Sequence, residues 1–159
     1  MKKVILFSVF IALAFVSCKK EVTQVVHEGG AQGFFRKIPV DAWAPNDDTT
    51  SLTAELSIPA LNKDILDHGA VLVYLSFADG EYEPIPEVFN FQSYIPIHTA
   101  GGVVIEIRDI QGYKVPFPQI EIWAKIIIID AQLIEKKPNV NLDNFLDVKQ
   151  AFDVKMRDR

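Results

Sequence analysis

The sequence predicts a mainly β domain: an antiparallel β-sandwich, or a small barrel, with one short internal helix and a C-terminal helix. Three observations carry this. Leu52, Ala54, Leu56 and Ile58 alternate with Thr53, Glu55 and Ser57, and Val103, Ile105 and Ile107 alternate with Val104, Glu106 and Arg108. That period of two belongs to a strand with one wet face. Ile126-Ile127-Ile128-Ile129 is too β-branched to favour a helix and reads as a buried strand. Short apolar runs are separated throughout by Pro, Gly, Asn and Asp, the punctuation of an all-β chain.

The chain has 159 residues, of which 49% are hydrophobic, enough apolar surface to offset the entropy of ordering one domain. Its formal charge of −5 argues against nucleic acid as a partner, which requires a basic stripe to displace counterions. A single cysteine excludes an intramolecular disulfide framework and any multi-cysteine zinc site.

The mean hydropathy of +0.15 is traced to the start of the chain. Lys2 and Lys3 precede an apolar run from Val4 to Val16, broken only by Ser8. A helix needs about 20 apolar residues to span a bilayer, so this run has the length of a signal-peptide core. It ends at Ser17-Cys18-Lys19-Lys20, which resembles a bacterial lipobox: small Ser17 precedes the Cys, although Phe15 is bulkier than the usual Leu. Residues 1–17 are expected to be a lipoprotein signal peptide and Cys18 the lipidated first residue of the mature protein. Two alternatives stay open for this segment, an ordinary signal peptide that leaves Cys18 a free thiol and an uncut N-terminal anchor. Acyl burial contributes about 0.8 kcal/mol per CH2, and more than one chain makes anchoring stable. Loss of residues 1–17 removes two lysines and no acid, shifting the formal charge to −7. Asp, the usual inner-membrane retention signal, does not follow Cys18, which points to the outer membrane; Lys19 and Lys20 would lie beside lipid headgroups.

Residues 18–33 then read as a flexible tether ending in Gly29, Gly30 and Gly33, with His27 a solvated linker residue. Residues 34–159 read as a single β-rich domain. Phe34 to Trp43 is its first strand, Pro45-Asn46-Asp47-Asp48 a turn, and Leu52 to Ile58 the second strand, ended by Pro59. Asn62 is placed to cap a helix of two turns at most, and Gly69 to close it in a left-handed conformation. Val71 to Phe77 is a central strand and Asp79-Gly80 a hairpin signal. Pro84 and Pro86 push the start of the Glu83–Gln92 segment to a sheet edge, with a strand on Val88, Phe89 and Phe91. Short strands at Tyr94–Thr99 and Val103–Arg108 follow, then a loop from Gly112 to Pro118 and a strand from Ile120 to Asp130. A spacing of three to four from Leu142 to Phe152, with Asp143 early and Lys155 and Arg157 late, predicts a helix from Asp143 to about Val154. Val148 and Phe152 would pack it on the sheet.

Several of these blocks together resemble a family of uncharacterised exported lipoproteins of Bacteroidota, some of which carry collagen-like repeats before the same C-terminal domain. The matching pieces are Asp41-Ala42-Trp43, Ile58-Pro59-Ala60-Leu61, the block from Asp64 to Tyr74, Pro84-Ile85-Pro86, the isoleucine-rich strand, and Asn144 to Lys149. The 64–74 block is the most specific. Only Gly30-Ala31-Gln32-Gly33 echoes a collagen triplet, so a triple helix is not supported. The resemblance implies an envelope location and this fold, and no catalytic residues.

The remaining candidates are sparse. Ser51, Ser57, Ser76 and Ser93 lack a nucleophile-elbow context. His68 is placed at a helix C-terminus, where capping is the expected role, and His98 at a strand end, expected exposed. Asp79, Glu81, Glu83 and Glu87 fit no calcium-loop spacing and read as charges guarding an edge. No catalytic residue, metal or cofactor is expected. Aromatics crowd the second half of the chain. Most are expected in the core, and Tyr82, Tyr94 and Tyr113, near turns, are the candidates for an exposed ligand platform. The expected function is that of a membrane-anchored envelope lipoprotein with a non-enzymatic binding or assembly domain, its partner an envelope protein or glycan. The alternative is a carbohydrate- or peptide-binding lipoprotein of an uptake or adhesion system.

Overall fold

A computed structural model describes residues 30–78 and 80–158. The segment expected to be a signal peptide, Cys18, His27 and most of the expected tether lie outside the described residues, as does Asp79. No helix among the described residues is long and apolar enough to cross a membrane.

Ten strands form two five-stranded sheets that do not close into a barrel, so the sandwich alternative holds. The first sheet contains β1 (Gln32–Ile38), β4 (Ala70–Ala78), β5 (Glu81–Ile85), β9 (Ile122–Ile129) and β10 (Lys155–Asp158), in the order β10-β1-β9-β4-β5. The second contains β2 (Ala44–Pro45), β3 (Ser51–Ser57), β6 (Glu87–Phe89), β7 (Gln92–Thr99) and β8 (Gly102–Asp109), in the order β2-β3-β8-β7-β6. All pairings are antiparallel except that of β1 with β10.

Alternation places one face of each sheet in a shared core. Leu52, Ala54 and Leu56 of β3 and Val103, Ile105 and Ile107 of β8 meet Val73 and Leu75 of β4 and Ile126 and Ile128 of β9. The four consecutive isoleucines have a further explanation. Ile127 and Ile129 point to the opposite face of the first sheet, where a second apolar cluster covers them. A strand buried on both faces needs no polar alternation.

The cover is the C-terminal segment. Helix α2 (Ala131–Lys136) and helix α3 (Phe145–Ala151) bring Leu133, Ile134, Phe145 and Val148 onto that outer face. The fold therefore has three layers: sheet, sheet, and a helical cover. Val148 and Phe152 pack on the sheet as their spacing predicted, at 0% and 5% exposure. The helix is shorter than expected, because Asn144 caps it by accepting from the N–H groups of Leu146 and Asp147, and the chain leaves it at Phe152 to form β10 beside β1. Helix α2 was not expected; Asp130 caps it, accepting from Gln132 N at 2.8 Å.

Two glycines correct the expectations. The tether ends earlier than position 33: Ala31 is buried, and Gln32 and Gly33 belong to β1. A Cβ on Gly33 would collide with the Met156 sulfur and stand 2.8 Å from Val154 Cγ1, so this glycine lets β10 close over β1. Helix α1 (Lys63–His68) is capped by Asn62, which accepts from Ile65 N at 3.0 Å. Gly69 is not left-handed. It is extended at φ −92° and ψ −167°, and is needed because a Cβ would stand 2.7 Å from the Ile129 carbonyl.

The strand registers define two poles. At the near pole of the first sheet lie the starts of β1 (Gln32 opposite Ile128) and β4; in the second sheet the Thr99–Gly102 turn is the end opposite the 90–91 turn. At the far pole lie the connections 39–50, between β4 and β5, 90–91 and 110–121. The chain preceding β1 therefore joins the sandwich at the near pole.

Candidate functional site

The three tyrosines do not converge. Tyr94 is a core residue: it lies on the inward face of β7 opposite Ile107, is 7% exposed, and stacks edge-on with Phe77 at 5.0 Å. Its hydroxyl donates to Gln92 Oε1 at 3.0 Å, and burial, with Glu87 nearby, raises its pKa. Strand parity, invisible when a short strand is interrupted by Pro96, decided this. Tyr82 is half-buried on the outer face of the first sheet. Its ring lies 3.4 Å from the Lys125 ammonium, which Phe145 covers from a second direction at 3.9 Å. Burial lowers the pKa of Lys125, and the Lys149 charge adds to this. Tyr82 and Lys125 thus fasten the helical cover to the sheet. Only Tyr113 is exposed, at 67%.

Tyr113 has company that the sequence did not reveal. Of the ten large exposed hydrophobic side chains among the described residues, eight lie on or beside the far pole. Val88, Phe89 and Phe91 come from the β6–β7 hairpin, Ile110, Tyr113, Phe117 and Ile120 from the β8–β9 connection, and Val40 from the β1–β2 connection. The expected strand on Val88, Phe89 and Phe91 does not continue through Phe91. The structure instead turns the chain between β6 and β7 at Asn90 and Phe91, with φ 49° and 63°. A glycine signal would have announced such a turn; Phe at its second position gave none.

That conformation is uncommon for a bulky residue, and left-handed backbone costs a non-glycine residue roughly 1–2 kcal/mol. Phe91 is 61% exposed, so burial on this molecule offsets little of the strain. Strain of this kind concentrates at functional sites.

The surrounding loops are tied down. Phe91 O accepts from Ile110 N at 2.9 Å, joining the hairpin tip to the β8–β9 connection. One carboxylate oxygen of Asp109 accepts from Gln111 N at 2.8 Å and Tyr113 N at 3.0 Å. Buried Val115 plugs the same connection, and its N–H donates to Thr49 O. Asp48 accepts from the Thr50 hydroxyl and N–H, which lowers its pKa. The apolar side chains are thus held out to solvent by loops already shaped, the preorganisation that lowers the entropic cost of binding.

The histidines sit elsewhere. His68 ends α1 with Nδ1 within 3.2 Å of the Asp64 carbonyl and 3.1 Å of its carboxylate, consistent with the expected cap. His98 is exposed on β7 near the Thr99–Gly102 turn, and partial burial of its ring lowers its pKa. Among the described residues no group of three or more His, Cys, Asp and Glu side chains is arranged to hold a metal ion.

No family model, curated protein or solved structure matches the chain.

Proposed function

We propose that this chain is a lipid-anchored protein of the bacterial cell envelope whose sandwich binds or assembles with another envelope component without catalysing a reaction. The observation that carries the binding half is the concentration of exposed apolar side chains, one of them strained, on the far pole. Large apolar side chains left exposed in one region of a surface are a common mark of an interaction site. The anchoring half rests on the apolar run before Ser17-Cys18 and on Lys19 and Lys20 in place of an acidic retention signal, which favours the outer membrane.

The two halves fit one geometry. Cys18 stands 14 residues before β1, a span of at most about 50 Å when extended. The tether reaches the sandwich at the near pole, so the apolar loops are carried on the side away from the anchor. The resemblance to exported Bacteroidota lipoproteins, on the 64–74 block above all, points to the same location. The alternative, a carbohydrate- or peptide-binding lipoprotein of an uptake or adhesion system, draws on the exposed ring of Tyr113 and on Phe89 and Phe91.

Anchoring is tested by Cys18→Ala with metabolic labelling by an alkynyl fatty acid and membrane fractionation. The wild-type chain is expected in the labelled membrane fraction and the variant to be unlabelled. Equal labelling of the two would overturn the anchor. Glycan binding that disappears in Tyr113→Ala would favour the alternative.

A further inference from the structure

Charge names the class of partner, given the reading that the far pole binds. Segments 37–48, 80–87 and 108–121, which form the far pole and its flanking edge, hold eight carboxylates and three cationic side chains; the rest of the described residues hold ten and eight. The net negative charge of the domain is therefore concentrated where its apolar side chains are exposed. Two of the three cations there are paired, Lys37 2.5 Å from Glu121 and Arg108 2.7 Å from Glu106, and the third, Lys114, is exposed next to Tyr113 in sequence. Asp48 and Asp109 are turned into their own loops. Asp41 and Asp47, in the connections flanking β2, and Glu87, at the start of β6, are exposed at the two opposite edges of the second sheet and form no ion pair among the described residues.

We propose that the far pole docks a cationic, apolar segment of another envelope protein. Its Arg or Lys side chains would face Asp41, Asp47 and Glu87, and its apolar side chains would pack on Phe89, Phe91, Ile110 and Tyr113. Complementary charge raises the association rate and rejects acidic competitors. Other occupants fit less well. An anionic lipid surface would be repelled by the same carboxylates. A neutral sugar carries no charge for the carboxylates of this surface to attract.

The test uses the full chain in phosphatidylcholine nanodiscs and three fluorescent peptides, alternating Arg–Leu, Glu–Leu and Arg–Ser, followed by anisotropy. The Arg–Leu peptide is expected to bind at least tenfold tighter than either of the others and to weaken as salt rises. Phe91→Gly and Phe89→Ser leave the charge unchanged and are each expected to weaken it at least fivefold, with circular dichroism reporting that the fold is kept. Asp47→Lys combined with Glu87→Lys is expected to weaken it as well. Equal affinity for the Glu–Leu peptide, lost in Phe91→Gly, would overturn the cationic partner and leave the far pole as a binding surface. Affinities indifferent to both Phe substitutions would overturn the binding surface and the proposal with it. Phe91-dependent binding to added phosphatidylcholine vesicles, with no peptide preference, would identify a membrane contact and overturn the proposal.

Discussion

The hydroxyl of Tyr74, in the middle of β4, donates a 2.6 Å hydrogen bond to the backbone carbonyl of Leu142, 68 residues further along the chain. Tyr74 has no exposed surface, and its ring meets Phe145 edge-on at 5.6 Å. One side chain thus satisfies a carbonyl of the segment before α3 and packs against the first residue of that helix. The helical cover is fastened to the sheet through this polar contact as well as through apolar burial.

Tyr74→Phe keeps the ring and removes the donor. Leaving a sequestered carbonyl without its partner costs about 1–2 kcal/mol, which a lower urea midpoint at unchanged slope would report. The same residue predicts a pH effect. Burial, with Asp143 adding to it, raises the Tyr74 pKa from 10.0 to about 12. Between those values the unfolded chain has released the phenolic proton and the folded chain has not, so stability falls as pH rises, by up to roughly 2 kcal/mol. Urea midpoints measured from pH 9 to 12 should show this fall in the wild type and a shallower one in Tyr74→Phe. Identical slopes would exclude the assignment.

Gly33→Ala should loosen the C-terminal edge. The new Cβ meets the Met156 sulfur and Val154 Cγ1, and overpacking of this kind costs roughly 1–3 kcal/mol. Because β10 is held to the sheet only through β1, the damage should be local. Hydrogen exchange at 155–158 is expected to accelerate while β3 and β8 stay protected; uniform acceleration would mean that β10 is integral to the cooperative core.

Phe91→Gly should not destabilise the fold. Glycine relieves the left-handed strain, and this outweighs its greater freedom in the unfolded chain, for a net gain of up to about 1 kcal/mol. The ring is mostly exposed, so little burial is lost. Thermal unfolding decides the matter: a fall in Tm of several degrees would show that the ring serves the fold.

Much of the fold was legible because period and punctuation are local. Alternation placed the second strand and β8, β-branching placed β9, and Asn62 marked the start of α1. Helix α2 was hidden because only Asp130 announced it, after a strand of overwhelming β propensity. Strand β10 was hidden because four mostly charged residues have no strand pattern; their partner β1 supplies the order. The far pole was the least legible part. Tyr82, Tyr94 and Tyr113 all lie near turns in the sequence, yet exposure depends on which face a strand turns inward and on what covers it.

Local sequence determined which stretches are strands and helices, that the apolar residues suffice for one core, and that an apolar run before Ser17-Cys18 precedes the domain. Tertiary structure alone decided which aromatics reach solvent. The reason is physical. Strand and helix propensities act over a few residues, whereas burial of Tyr94 and exposure of Phe91 depend on registers and loops that connect residues far apart in the chain.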